Sequence, residues 1–148
     1  MIWMLTSAAL AGTGHCTDAE TVLFSCAVKG GKHVSVCQDA GLASFGVTGG
    51  MQYRFGPPGA PELRFPEDSS DITVWTHREV MLARATGESL AFTNGGYTYT
   101  LSALGSGSPD AFFGVTVEKD GQTLATLSCE EGSVANHFDA LPAVIKAP

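Results

Sequence analysis

The sequence predicts an all-β protein, a single-domain antiparallel β-barrel or sandwich of about eight strands with one short C-terminal helix. Three observations lead there. Short runs of β-branched and aromatic residues recur along the whole 148-residue chain. Tight-turn signals separate them: Gly30-Gly31, Asn94-Gly95-Gly96 and Asp120-Gly121. Glycine is abundant, at 18 residues, and stretches with helical periodicity are scarce.

Taken in order, residues 1–11 are uncharged and mostly apolar, and Ala9-Leu10-Ala11 has the small-x-small form that signal peptidase accepts. They read as a signal peptide that leaves Gly12 as the mature terminus and residues 12–148 as one exported β domain. The basic leader that normally precedes such an apolar run is missing, so the signal is expected to be incomplete at its N-terminus. The run is too short to cross a bilayer as a permanent helix.

The first strand is Thr21-Val22-Leu23-Phe24-Ser25-Cys26-Ala27-Val28 and the second is His33-Val34-Ser35-Val36-Cys37. Gly30 and Gly31 form the turn between them, because both central positions of a two-residue hairpin take positive φ. That register puts Cys26 and Cys37 on one face without setting them opposite each other. Met51-Gln52-Tyr53-Arg54-Phe55 alternates, so it reads as a half-buried strand with Gln52 and Arg54 on its polar side. Gly56-Pro57-Pro58 ends it, since proline donates nothing to a ladder. Leu63 and Phe65 flank Arg64 in a brief strand before Pro66, and residues 67–71 form an exposed acidic loop.

Residues 72–75 and 80–85 are read as strands, with a helical turn over residues 79–84 as the alternative for the second. Residues 89–93 lead through Asn94-Gly95-Gly96 into Tyr97-Thr98-Tyr99-Thr100-Leu101, a clear alternating strand. Gly105-Ser106-Gly107-Ser108-Pro109-Asp110 is a loop. Residues 113–119 and 122–129 bracket Asp120-Gly121, the strongest hairpin signal in the chain. A short helix is expected between residues 133 and 141.

The four cysteines, Cys16, Cys26, Cys37 and Cys129, form no Cys-x-x-Cys pair and suit two disulfides in an oxidising compartment. Spacing leaves three connectivities open. Cys26 and Cys129 both fall inside strands near opposite ends of the chain, and this favours Cys26–Cys129 with Cys16–Cys37. A loop of roughly a hundred residues closed in that way is worth about 4–5 kcal/mol in the chain-entropy account.

Eight basic against fifteen acidic side chains give a net charge of −7. A nucleic-acid binder needs a basic face to displace counterions, so that class is excluded, and a cationic partner is favoured. Catalysis finds no foothold. The histidines (His15, His33, His77, His137) show no metal-ligand spacing and read as surface or loop residues, so no metal and no cofactor are expected. No nucleophile elbow and no phosphate loop are present. The chain therefore reads as a binding protein and not an enzyme.

Binding is best placed at Asn94-Gly95-Gly96-Tyr97, where tyrosine beside a rigid turn offers large contact area at small entropic cost. The apolar leader, the strand ending Leu23-Phe24-Ser25-Cys26, the strand Gly114-Val115-Thr116-Val117 and this Asn-Gly-x-Tyr turn resemble a family of bacterial periplasmic proteins. These are the inhibitors of invertebrate-type lysozyme. The resemblance implies a small antiparallel barrel or sandwich in the periplasm and an inhibitory loop of the form Ser-Gly-x-Tyr that enters the lysozyme's cleft. Asn94, Gly95 and Tyr97 are the matching positions, with asparagine where the family has the serine that meets the catalytic carboxylates. The partner it implies is a cationic lysozyme. The alternative is a non-catalytic accessory envelope protein that binds another envelope component.

Overall fold

The computed structural model describes residues 14–41, 49–105 and 111–146. The signal peptide read over residues 1–11, and most of the glycine-serine loop before Asp110, lie outside them. Among the described residues, ten antiparallel strands build two five-stranded sheets packed face to face, so the fold is a sandwich and not a closed barrel.

The first sheet contains β1 (Thr21–Val28), β2 (Lys32–Gln38), β3 (Met51–Gly56), β4 (Leu63–Phe65) and β10 (Ala135–Asn136), in the order β10-β1-β2-β3-β4. The second is a plain meander of β5 (Thr76–Met81), β6 (Thr86–Asn94), β7 (Tyr97–Leu104), β8 (Phe112–Lys119) and β9 (Gln122–Ser128). The core between them holds Phe24, Val34, Val36 and Tyr53 from one side and Leu90, Phe92, Leu101 and Val115 from the other. Phe92 sits at the centre of an aromatic cluster, with Phe65 and Tyr99 stacked on it and Trp75 meeting it edge-on.

Four local expectations need correction. Residues 72–75 are not a strand. Ile72–Val74 is a 3-10 turn, because the Asp71 carboxylate accepts from the backbone N–H of Thr73 and caps it. The strand expected over residues 80–85 ends at Met81, since β5 starts at Thr76 and runs only that far. The C-terminal helix lies later than expected: Phe138–Ala140 is a 3-10 turn, and the α-helix, α1, is Ala143–Lys146, placed just after Pro142.

The fourth correction concerns the first hairpin. Val28 pairs with Lys32 and Cys26 with Val34, so the turn holds three residues, Lys29, Gly30 and Gly31. One extra turn residue reverses the face of every side chain on β2 relative to β1. Cys26 therefore points into the core with Val34 and Val36, while Cys37 points outward with Ser35. The bonds formed are Cys16–Cys37 on the outside of the first sheet and Cys26–Cys129 on its inside. The second of these sits beside an isolated bridge between Val28 and Cys129, which joins the end of the second sheet to the first.

Candidate functional site

The β6–β7 hairpin turns through Gly95 and Gly96, with φ of 62° and 88°, and sets Asn94 opposite Tyr97. Both central residues are left-handed, which is the geometry a two-residue hairpin requires of a right-twisted ribbon. The neighbouring β8–β9 hairpin turns the same way through Asp120 and Gly121, with φ of 52° and 78°. Because β7 lies beside β8, the two tips stand together at one end of the second sheet.

Tyr97 and Tyr99 lie two residues apart on one strand face, yet they do different things. Tyr99 stacks on Phe92, with ring centroids 4.9 Å apart and planes 6° from parallel, and is partly buried against the core. Tyr97, beside the turn, is 37% exposed. Lys119 holds its ammonium over the Tyr97 ring, 4.6 Å from the centroid. A cation on one face of the ring limits its rotation and leaves the remaining surface for contact. Asn94 is half-buried and both turn glycines are exposed.

The outer face of the first sheet carries a second arrangement that periodicity did not reveal. Gln52 and Arg54, read as the solvent side of β3, are each only 8% exposed. Residues 14–20 cross over them as a strap. The His15 backbone N–H donates to Ser35 Oγ at 3.0 Å, and its ring Nε2–H donates to the carbonyls of His33 and Gly56 at 3.2 and 3.0 Å. Two carbonyl acceptors require the proton on Nε2, so Nδ1 is bare, and it is buried without a partner. Arg54 grips the strap at two points. It donates to the His15 carbonyl at 3.0 Å and, through both terminal nitrogens, to the Glu20 carboxylate at 2.7 Å. Its Nε donates to Gln52 Oε1, and Gln52 Nε2 donates in turn to the Pro66 carbonyl.

The charges of this strap follow from those contacts. Burial holds the His15 imidazole below its ordinary value of 6.5, against the help of its two carbonyl acceptors, and the nearby His33 and Arg54 add to the fall. The hydrogen bonds from Arg54 hold the Glu20 carboxyl below the usual carboxylate range. Every nitrogen of Arg54 has a protein acceptor, and four of its five N–H donors are used in these bonds, so the group serves as a clamp.

Cys16, Glu20 and Cys37 bring one possible ligand atom each within 4.8 Å of one another. Both sulfurs are bonded to each other, however, and a metal takes thiolate and not disulfide sulfur. Of the histidines expected at the surface, His137 is exposed, while His15, His33 and His77 are half-buried; the His77 side chain is 5% exposed and meets Glu88 at 3.2 Å across the β5–β6 pair. His15 and His33 come together edge to face with centroids 6.4 Å apart. No helix among the described residues is long and apolar enough to cross a membrane.

No protein-family model, no curated protein and no solved structure matches this chain. The site therefore stands on its own geometry.

Proposed function

We propose that the protein is an exported binding protein without catalytic chemistry, that it engages its partner through the tip at Asn94-Gly95-Gly96-Tyr97, and that this partner is the active-site cleft of a cationic lysozyme. The observation that carries the reading is the division of labour between Tyr99, stacked on Phe92 against the core, and Tyr97, 37% exposed at a tight glycine turn. A narrow tip whose only large side chain is an aromatic ring fits a cleft better than a flat surface. The net charge of −7 favours encounter with a cationic enzyme. Two disulfides suit an oxidising location such as the periplasm.

The test is cell-wall lysis by c-type, g-type and invertebrate-type lysozymes in the presence of the oxidised protein. Inhibition of at least one type is expected, with a loss of roughly tenfold or more on Tyr97→Ala, the scale of an aromatic anchor at an interface. Undiminished lysis at micromolar protein removes the lysozyme. If a partner recovered from the envelope stays bound to Tyr97→Ala, the tip is not the binding surface, and the protein is an accessory envelope component that binds elsewhere.

A further inference from the structure

A cleft of about 480 Å³ lies between the Ile72–Val74 turn, the start of β5 and α1. Ile72, Val144 and Ile145 give it apolar walls, while Trp75 and His77 bring polar groups. None of its residues belongs to the β6–β7 turn, so it is separate from the Tyr97 tip. Its volume and its mixture of apolar walls with a few polar groups are those of a small-molecule site.

Two polar groups on these walls lack partners. Trp75 is 6% exposed, and its indole Nε1–H is buried with no acceptor. An indole nitrogen only donates, so an acceptor alone can satisfy it. Leaving such a donor unmatched costs about 1–3 kcal/mol. His77 supplies the complementary group. Its Nε2–H donates to the Glu88 carboxylate at 3.2 Å, with the His77 side chain 5% exposed. While the ring is neutral, that bond fixes the proton on Nε2 and leaves Nδ1 an acceptor. Nδ1 has no partner among the described residues. Trp75 is extended and His77 lies two residues on, so the two side chains leave the backbone on the same side.

We infer that this cleft binds a small, largely apolar molecule carrying one hydroxyl group. The hydroxyl oxygen accepts from Trp75 Nε1–H, and its proton goes to His77 Nδ1. A hydroxyl is the smallest group that both accepts and donates, so it answers both residues at once. No charged side chain lines the cleft among the described residues, and an ionised head would be buried there unmatched. The apolar remainder packs against Ile72 and Ile145. Because the Trp75 N–H is closed to solvent, the ligand reaches it as α1 gives way. That helix has four residues and one buried side chain, Ile145, while Val144 is 61% exposed. Little buried surface holds it down.

Titration of the oxidised protein with para-ethylphenol, followed through the indole N–H signal of Trp75 by NMR, tests this. Trp3→Phe leaves Trp75 as the one indole of the chain. A saturable shift of its N–H signal is expected. Para-ethylanisole keeps the ring and the oxygen but has no proton to donate. It is expected to bind roughly tenfold more weakly, the scale of leaving one buried acceptor unpaired. Trp75→Phe keeps an aromatic ring, removes the donor and is expected to weaken para-ethylphenol by a similar factor in calorimetry. The two ligands compared on the parent decide the matter if that variant does not fold. An indole signal that stays in place at millimolar phenol overturns the inference. So does an ether that binds as tightly as the phenol, or a folded Trp75→Phe that holds the phenol as tightly as the parent.

Discussion

Arg54 donates two hydrogen bonds of 2.7 Å to the carboxylate of Glu20, with both side chains only 10% exposed. The pair joins β3 to a strap 34 residues earlier in the chain and turns an outward sheet face into an interior one. An ion pair so placed is costly to break and cheap to replace whole, since removing one partner leaves a buried charge unmatched. Glu20→Ala is expected to lower stability by about 3 kcal/mol, the scale for a broken buried pair. Substituting Leu for Glu20 and Met for Arg54 together is expected to recover most of that loss. Urea unfolding with the disulfides intact measures both, and an effect of Glu20→Ala near zero would show that solvent reaches the pair.

The strap is expected to loosen with acid in two stages. His15 is held below 6.5 in the folded protein, so between that value and its folded one the unfolded chain binds more protons. Its contribution is complete above about pH 6.5 and is lost as the pH falls through the folded value. Repulsion from the neighbouring His33 and Arg54 adds to the fall in the His15 value and so widens this pH window. Glu20, also held low, contributes above its ordinary value of 4.5 and loses that contribution at lower pH. Stability measured against pH for the parent and for His15→Gln should run parallel above neutrality and converge or cross below it. Parallel curves throughout would remove His15 from the account.

The two disulfides should differ in worth. Cys26 and Cys129 are 103 residues apart and Cys16 and Cys37 are 21 apart. Chain entropy assigns the longer loop roughly 4–5 kcal/mol and the shorter about 3 kcal/mol. Paired alanine substitutions followed by chemical denaturation are expected to rank them in that order. The loops overlap, so removing both should cost less than the sum.

Backbone handedness at the tip gives a sharper test. Gly96, at φ 88°, is expected to lose about 1–2 kcal/mol on change to valine, because a branched L residue resists the left-handed region. Gly95, at φ 62°, is expected to accept asparagine almost without loss. Thermal unfolding of the two variants separates them, and equal shifts would contradict the turn geometry.

What could be read from the sequence was what neighbouring residues settle. The alternation of Met51, Tyr53 and Phe55 put those three on the core side of β3, as found. Asp120-Gly121 and Gly95-Gly96 marked their hairpins because two left-handed positions need such residues. The failures share a cause in distance or in a single residue of register. Lys29 joins the first turn, and this hidden count decided which way Cys37 faces. Arg54 looked solvent-facing by period, but its partners, Glu20 and His15, come from a segment with no periodic signal of its own. Ile72 and Val74 have strand-forming side chains, and the short-range cap from Asp71 outweighed that preference. Tyr97 and Tyr99 share one face by period, yet Tyr97 is 37% exposed while Tyr99 packs against the core, a difference that alternation alone does not record.

The bond between Cys26 and Cys129 also bears on resistance to peptidases. It closes most of the polypeptide into a covalent ring that runs from the first long strand to the end of the last. A peptidase that cuts once anywhere within that ring opens it without releasing a fragment, because the two pieces stay tied through the sulfur bridge. The clipped molecule keeps both sheets within reach of each other and can close up again.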